Sequence, residues 1–254
     1  MKIAVITGAS SGMGALFAAT ADRWEAVDEL WVIARRKERL EKLKTPFPTR
    51  ILAMDLTDPK SLDAYAALLQ QEKPEVRLLV NAGGFGRFAA TMDTPLAENR
   101  NMVELNCQAL MSMCQLTVPY MTAGARIINI ASVAAAQPVP YINVYAATKA
   151  FVLSYSRGLN RELRSRGLGV TAVCPFWTKT EFFGRAVEDG KPPVVKKYVA
   201  MYRPEQIVDR AWRDARAGRD VSRFGFAARA QWDMVKLLPH RLVMDVWQRQ
   251  QRLP

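Results

Sequence analysis

Short apolar runs alternate with longer stretches of helical period along this chain. The runs predict strands over residues 2–7, 30–34, 50–54, 76–80, 125–131 and 168–174, with a weaker seventh at 221–226. They are rich in Val, Ile and Leu rather than alternating with polar residues, as in strands buried on both faces. Between the first two, Leu16, Phe17, Ala19, Thr20, Trp24 and Val27 recur at three- and four-residue spacing and predict a helix over 14–27. Longer helices are expected over 96–121 and 144–166, and another opens at Arg203-Pro204-Glu205 and runs to about Ala217. This order predicts an α/β fold, a doubly wound parallel sheet in three α/β/α layers. No Gly/Ser/Pro-rich linker divides the chain, so one domain over 1–254 is expected. Residues 176–201 are aromatic, basic and Pro-containing without a clear period, which suits a substrate loop or lid. A helical C-terminal segment, 231–250, mixes Trp232, Leu242, Val246 and Trp247 with basic residues and is interrupted by Pro239. Core packing or an oligomer contact is favoured there over a membrane-surface helix.

Composition narrows the class. The chain has 254 residues, half of them apolar, enough for a substantial core. No stretch is apolar for the roughly 18 residues a membrane span needs. The first residues read as a strand rather than a secretory leader. Cys107, Cys114 and Cys174 have no C-x-x-C spacing, which suits buried reduced thiols in a cytoplasmic protein. His240 is the only histidine and the acids form no ligand cluster, so neither a His-based triad nor a metal site is expected. The net charge of +12 is compatible with nucleic acid, an anionic membrane or a phosphorylated small molecule. No basic stripe interleaved with aromatics tracks a nucleic-acid strand, so a solvated basic surface is expected and no nucleic-acid partner.

The first strand ends in Thr7-Gly8-Ala9-Ser10-Ser11-Gly12-Met13-Gly14, directly before a helix. Glycines allow a tight turn and close approach of a pyrophosphate, and the helix start adds free N–H groups and partial positive charge. The spacing Gly-x-x-x-Gly-x-Gly resembles the cofactor turn of the short-chain dehydrogenases/reductases, a Rossmann-fold family. The resemblance implies a nicotinamide dinucleotide held by Gly8, Ser10, Ser11, Gly12, Met13 and Gly14. A ribose-binding acid is expected about 20 residues on, but Asp28 precedes the second strand. That strand ends at Ala34, followed by Arg35-Arg36-Lys37. Basic residues without an acid suit the 2′-phosphate of NADP, so NADP(H) is expected in preference to NAD(H), with Arg35 as the main contact. Position 11 is Ser, not the basic residue of some NADP-preferring relatives. Asp55-Leu56 and Asn81-Ala82-Gly83, at the ends of the third and fourth strands, resemble the segments that hold adenine and its ribose.

Tyr145 and Lys149 lie four apart in a predicted helix, so they share one face. A free phenol has a pKa of about 10, and a nearby ammonium or an oxidised nicotinamide lowers it toward use as an acid–base group. Such pairs are common by chance; context selects this one. Ser132 closes the fifth strand, where a hydroxyl can hydrogen-bond a substrate oxygen as charge develops. Asn106 sits mid-helix, where an amide needs a reason. Together the four resemble the family's Asn-Ser-Tyr-Lys set. The resemblance implies Tyr145 as acid in reduction and base in oxidation, with Ser132 orienting the substrate. It implies that Lys149 lowers the phenol pKa and holds the nicotinamide ribose, and that Asn106 supports a water linking Lys149 to solvent. It covers about residues 2–180. One departure follows the sixth strand, in Pro175-Phe176-Trp177-Thr178-Lys179-Thr180, where Phe176 replaces a family glycine. Pro175, Thr178 and Thr180 are still expected to line the cofactor.

The expected function is interconversion of a small-molecule carbonyl and alcohol. Phe176, Trp177, Phe182, Phe183 and Tyr198 suggest a bulky apolar substrate of steroid, long-chain or aromatic type. Lys191, Lys196 and Lys197 would instead suit the phosphates of an acyl thioester carrier, making the protein a 3-ketoacyl thioester reductase. A non-catalytic NADP-binding sensor could share the fold. A sugar-nucleotide epimerase or dehydratase is disfavoured by glycine spacing and chain length. A homodimer or homotetramer is expected.

Overall fold

Both faces of the strands are apolar, and the architecture follows from covering them. In the computed structural model, which describes residues 1–187 and 194–254, the strands are β1 (Lys2–Thr7), β2 (Glu29–Ala34), β3 (Thr49–Ala53), β4 (Glu75–Asn81), β5 (Met121–Ile130), β6 (Gly169–Val173) and β7 (Val221–Ser222). The helices are α1 (Gly12–Ala19), α2 (Lys37–Leu40), α3 (Pro59–Glu72), α4 (Leu96–Val103), α5 (Leu110–Thr117) and α6 (Asn143–Glu162). They continue with α7 (Phe182–Ala186), α8 (Pro204–Arg216), α9 (Phe226–Leu237) and α10 (His240–Gln251). Among the described residues the strands form one seven-stranded sheet, β3-β2-β1-β4-β5-β6-β7, and every pairing is parallel.

Alternate strand residues feed opposite cores. Ile3 and Val5 join Trp31, Leu79 and Ile127 against Tyr65 and Leu69 of α3, Met113 of α5 and Val152 of α6. Ala4 and Ile6 join Leu30, Leu78 and Ile128 against Phe17 of α1 and Val208 and Trp212 of α8. The strand order reverses between β1 and β4, which opens a crevice at their carboxyl ends. Register aligns those ends, with Thr7 opposite Ile33 and Asn81, Asn81 opposite Asn129, and Ile130 opposite Val173. The loops that carry the candidate motifs therefore leave one edge of the sheet together.

The chain departs from the predicted elements where side chains compete with helical period. The helix expected over 14–27 stops at Ala19, where Thr20 Oγ1 donates to the Leu16 carbonyl at 2.7 Å. Trp24 reaches the core from the next turn, stacked 6.3 Å from Trp212. The helix expected over 96–121 is α4, a π-helical turn Glu104–Ala109, α5 and a 3-10 turn containing Pro119. The strand expected over 221–226 is cut to two residues, because Gly225 at φ +90° turns the chain into α9. The unanticipated α3 is opened by Asp58, whose carboxylate accepts from the Lys60 amide at 3.1 Å. The segment 176–201 contains α7, and its base is closed by the Tyr202 amide donating to Trp177 O at 2.8 Å. Lys191 falls outside the described residues. No helix among the described residues is long and apolar enough to cross a membrane.

Candidate active site

The glycine turn is built by close backbone packing. Gly8 and Gly12 have φ of +66° and +56°, a region glycine enters without strain. A Cβ at Gly14 would lie 2.3 Å from the Gly8 carbonyl oxygen, and one at Gly8 would lie 2.6 Å from the backbone of Ala82 and Gly83. Thr7 Oγ1 accepts from the Ala82 and Gly83 amides at 3.2 and 3.3 Å, which joins the turn after β1 to the turn after β4. Ser11 precedes α1 without a side-chain cap, so the first amides of the helix remain available to an anion.

The basic cluster after β2 sorts itself by geometry. Arg36 Nη2 donates to Ser10 Oγ and Ser11 Oγ at 3.1 and 3.2 Å, so this side chain crosses the glycine turn. Arg35 leans toward Asp55 at 3.6 Å. Glu181, just before α7, faces both Arg39 at 2.6 Å and Arg36 at 3.7 Å. Burial pushes the Asp55 carboxyl up, but the Thr57 amide and hydroxyl and the Arg35 charge outweigh it and hold it below the usual range. The Asn81 side chain does not face the crevice. It is buried, donating to Asn129 Oδ1 at 2.9 Å and Cys114 Sγ at 3.4 Å, so it links β4 to β5 and α5. The backbone of Ala82 and Gly83 borders the glycine turn at this point. Leu56, on the loop after β3, is buried.

The polar set converges from three elements. Ser132 caps a 3-10 turn, Val133–Ala136, with Oγ accepting from the Ala134 amide at 3.2 Å, and it hydrogen-bonds the Tyr145 phenol. Tyr145 lies in the first turn of α6 and Lys149 one turn on, with Nζ 5.7 Å from the tyrosine ring centroid. Lys149 is buried and donates to the Ile130 carbonyl at 2.7 Å. Loss of solvent pulls its ammonium down to about 8. Loss of solvent also pushes the phenol up to about 12, against the lowering effect of the Ser132 hydrogen bond. Asn106, in the π-helical turn, accepts from the Phe85 amide at 3.0 Å and donates to the Phe85 carbonyl at 2.8 Å and to Thr148 Oγ1 at 3.0 Å. Between Asn106 and Lys149 lies Gly84, where a Cβ would sit 2.9 Å from Asn106 Oδ1 and 3.5 Å from Lys149 Nζ.

These groups open into a cavity of about 510 Å³, within the range of small-ligand sites. Met13, Ser132, Tyr145, Lys149, Pro175, Thr178 and Thr180 are among its lining residues, as are the aromatic side chains Phe88, Trp177, Phe182 and Phe183. Phe182 packs 5.3 Å from the Tyr145 ring. Phe176 has no positive φ, so its backbone does not demand glycine; its ring is buried against Trp177 and Tyr202. Tyr198 packs behind Trp177 and Phe183, at 5.2 and 5.7 Å. The C-terminal helices complete the wall with Met234, Val243 and Trp247. Trp247 donates to the Pro140 carbonyl at 3.0 Å, and Gln251 accepts from the Lys196 and Lys197 amides at 2.8 and 2.9 Å. Sequence periodicity marked these helices only as packing surface; nothing in it revealed which cavity they close. Among the described residues no cluster of His, Cys, Asp and Glu is placed to hold a metal.

A dinucleotide fits this edge, because the glycine contacts form a cradle that a single Cβ would fill and α1 presents free amides to it. The short chain dehydrogenase family model matches residues 2–191. A sulfoacetaldehyde reductase from Chromohalobacter salexigens is 34% identical over 186 residues, covering 70% of this chain and 72% of that protein. One curated relative is much longer, and the chain spans 16% of its length. A short-chain dehydrogenase from Sphingobium yanoikuyae, solved in complex with NADPH, superposes with a TM-score of 0.78 at 30% identity, covering 96% of both chains. A bulky-bulky ketone specific alcohol dehydrogenase from Comamonas testosteroni superposes with a TM-score of 0.74 at 27% identity, covering 96% of this chain and 94% of that one. Motif order, sheet topology and relatives agree: the chain belongs to the short-chain dehydrogenase/reductase family and is an NAD(P)-dependent oxidoreductase of carbonyl and alcohol groups.

Proposed function

We propose that the protein interconverts a bulky apolar ketone or aldehyde and its alcohol, preferring NADP(H) to NAD(H), with Tyr145 as the acid–base group. The observation that carries this reading is the convergence of Ser132, Tyr145 and Lys149 on one cavity lined by aromatic side chains. A bound nicotinamide supplies or takes the hydride. The Tyr145 hydroxyl gives its proton to the substrate oxygen in reduction and removes one in oxidation. Ser132 Oγ, already bonded to the phenol, orients the same oxygen. The Lys149 ammonium holds ribose hydroxyls and offsets phenolate charge. Asn106 is assigned the support of a water beside Lys149, at the space Gly84 leaves open.

The glycine turn, from Gly8 through Ser10, Ser11, Gly12 and Met13 to Gly14, is assigned the pyrophosphate. Asp55 and Leu56 are assigned the adenine, Ala82 and Gly83 its ribose by backbone contact, and Pro175, Thr178 and Thr180 the nicotinamide end. The preference for NADP(H) rests on two arginines and no ribose-binding acid at the end of β2, with Arg36 above the turn and Arg35 beside it. The aromatic wall supports the bulky substrate, as does the likeness to an alcohol dehydrogenase named for bulky ketones. Exposed Phe226, Leu237, Leu242 and Val246 on α9 and α10 favour a homodimer or homotetramer, and reduced buried cysteines favour the cytoplasm.

The test is a panel of bulky ketones assayed with NADPH and NADH side by side. Turnover is expected with NADPH in at least about tenfold preference, the size of one charge-assisted contact. Arg36→Ala should erode that preference, and Tyr145→Phe should lower kcat by about 10²–10⁴-fold with cofactor binding retained. Equal use of NADH removes the cofactor assignment; an active Tyr145→Phe removes the mechanism.

A further inference from the structure

Two arginines after β2 share an acid that arrives from another loop. Arg36 and Arg39 lie at the start of α2, whereas Glu181 belongs to the segment after β6. Both guanidinium groups converge on one carboxylate oxygen, Glu181 Oε2, from Arg39 Nη1 at 2.6 Å and from Arg36 Nη1 at 3.7 Å. The second amino group of Arg36, Nη2, is on the hydroxyls of Ser10 and Ser11. One guanidinium therefore joins the glycine turn to the acid. The same loop meets that turn one residue earlier, since a Cβ at Gly12 would lie 3.7 Å from Thr180 Cβ. The hydrogen bond from Arg39 and the charges of both arginines hold the Glu181 carboxyl below its usual range, so it is ionised at neutral pH. The three side chains are 40–60% exposed, within reach of a ligand in the crevice. Two arginines on one oxygen make a site for an anion. Here the chain itself fills it.

We propose that Glu181 is a specificity-determining residue for the cofactor: its carboxylate competes with the 2′-phosphate of NADP(H) for Arg36 and Arg39. The preference over NAD(H) is then smaller than the arginines alone would give. This inference rests on the NADP(H) reading of the basic cluster. A phosphate monoester carries about 1.5–2 negative charges at neutral pH. To take Arg36 it must displace the carboxylate or stand beside a like charge, and either costs binding energy. NAD(H) brings a hydroxyl to that place and leaves both ion pairs intact, so the cost falls on one cofactor alone. Exposed ion pairs are individually weak. Two of them set an effect of about two- to tenfold.

The experiment is calorimetric titration of wild type, Glu181→Gln and Glu181→Ala at low ionic strength, where surface charges are least screened. Each protein is titrated with NADPH and NADH, and with the fragments adenosine 2′,5′-bisphosphate and AMP. The quantity read is the Kd of the ligand without the 2′-phosphate divided by that of the ligand with it. Both variants should raise this ratio about two- to tenfold, for the whole cofactors and for the fragments alike. The fragments lack the nicotinamide half, so they report the arginine site free of any change at the far end of the loop. A glutamate that only anchors the loop would shift both members of a pair together and leave the ratio unmoved. A glutamate that orients the arginines would lower it. Either result, in both variants, overturns the proposal. Arg36→Ala separates the two readings. A ratio near one in wild type, with no change in Arg36→Ala, overturns the NADP(H) assignment itself. A ratio that falls in Arg36→Ala yet stays fixed in the Glu181 variants overturns the competition alone.

Discussion

Tyr145 and Lys149 are displaced by the same physical cause in opposite directions. Loss of solvent penalises whichever form is charged, so the phenol rises to about 12 and the ammonium falls to about 8. Ketone reduction uses the protonated phenol, which is the resting form at neutral pH. Its rate should therefore hold across neutral pH and fall only as the phenol ionises at alkaline pH. Alcohol oxidation uses the phenolate and should climb with pH over the same range. Lys149→Met removes a positive charge from the phenolate's surroundings, so the rising limb of oxidation should move to higher pH by about one unit or more. Paired pH–rate profiles check both signs, and an unmoved limb would take Lys149 out of the titration. The four-residue spacing of the pair was legible in the chain because helical geometry is local. The choice between Arg35 and Arg36 was not, since it depends on which guanidinium reaches Ser10 and Ser11 across the crevice.

Asn106 shows how an element is shaped by one side chain. The π-helical turn Glu104–Ala109 interrupts a stretch that reads as continuous helix, and it presents the Asn106 amide to the Phe85 backbone and to Thr148. Asn106→Leu deletes those three hydrogen bonds. Stability should fall by about 2–4 kcal/mol at roughly 1 kcal/mol per bond, a Tm decrease of roughly 4–16 °C for a chain of this size. Thermal melts of the purified variant test this, and a Tm within a degree of wild type would mean the bonds contribute nothing to the fold. An inserted π turn shifts the helical phase by about one residue, and the mixed polar and apolar composition of this stretch hides that shift. The odd amide in an apolar stretch was its only trace. The missed α3 is the converse case: of its residues only Tyr65 and Leu69 are fully covered, so its apolar stripe is narrow.

Across the whole molecule, the cofactor edge gathers loops from both halves of one sheet: the turns after β1 and β4, the Ser132 turn after β5 and Pro175 after β6. We expect residues 1–254 to unfold as one cooperative unit, with calorimetric and van't Hoff enthalpies in agreement. NADPH at about 100 times its Kd should add about 2.7 kcal/mol and raise that transition without splitting it. Two separated transitions, only one of them moved by NADPH, would divide the chain into independent units.

The sequence by itself determined the α/β class, the strands β1 to β6, the glycine turn and the one-turn spacing of Tyr145 and Lys149, because each rests on local period, backbone sterics or spacing within one element. Only the tertiary structure decided that Asn81 turns into the sheet and that Phe176 packs under α9. It likewise decided that α9 and α10 wall the cavity. Each of these depends on which distant segment arrives beside the residue, and desolvation and hydrogen-bond satisfaction are set by that neighbour.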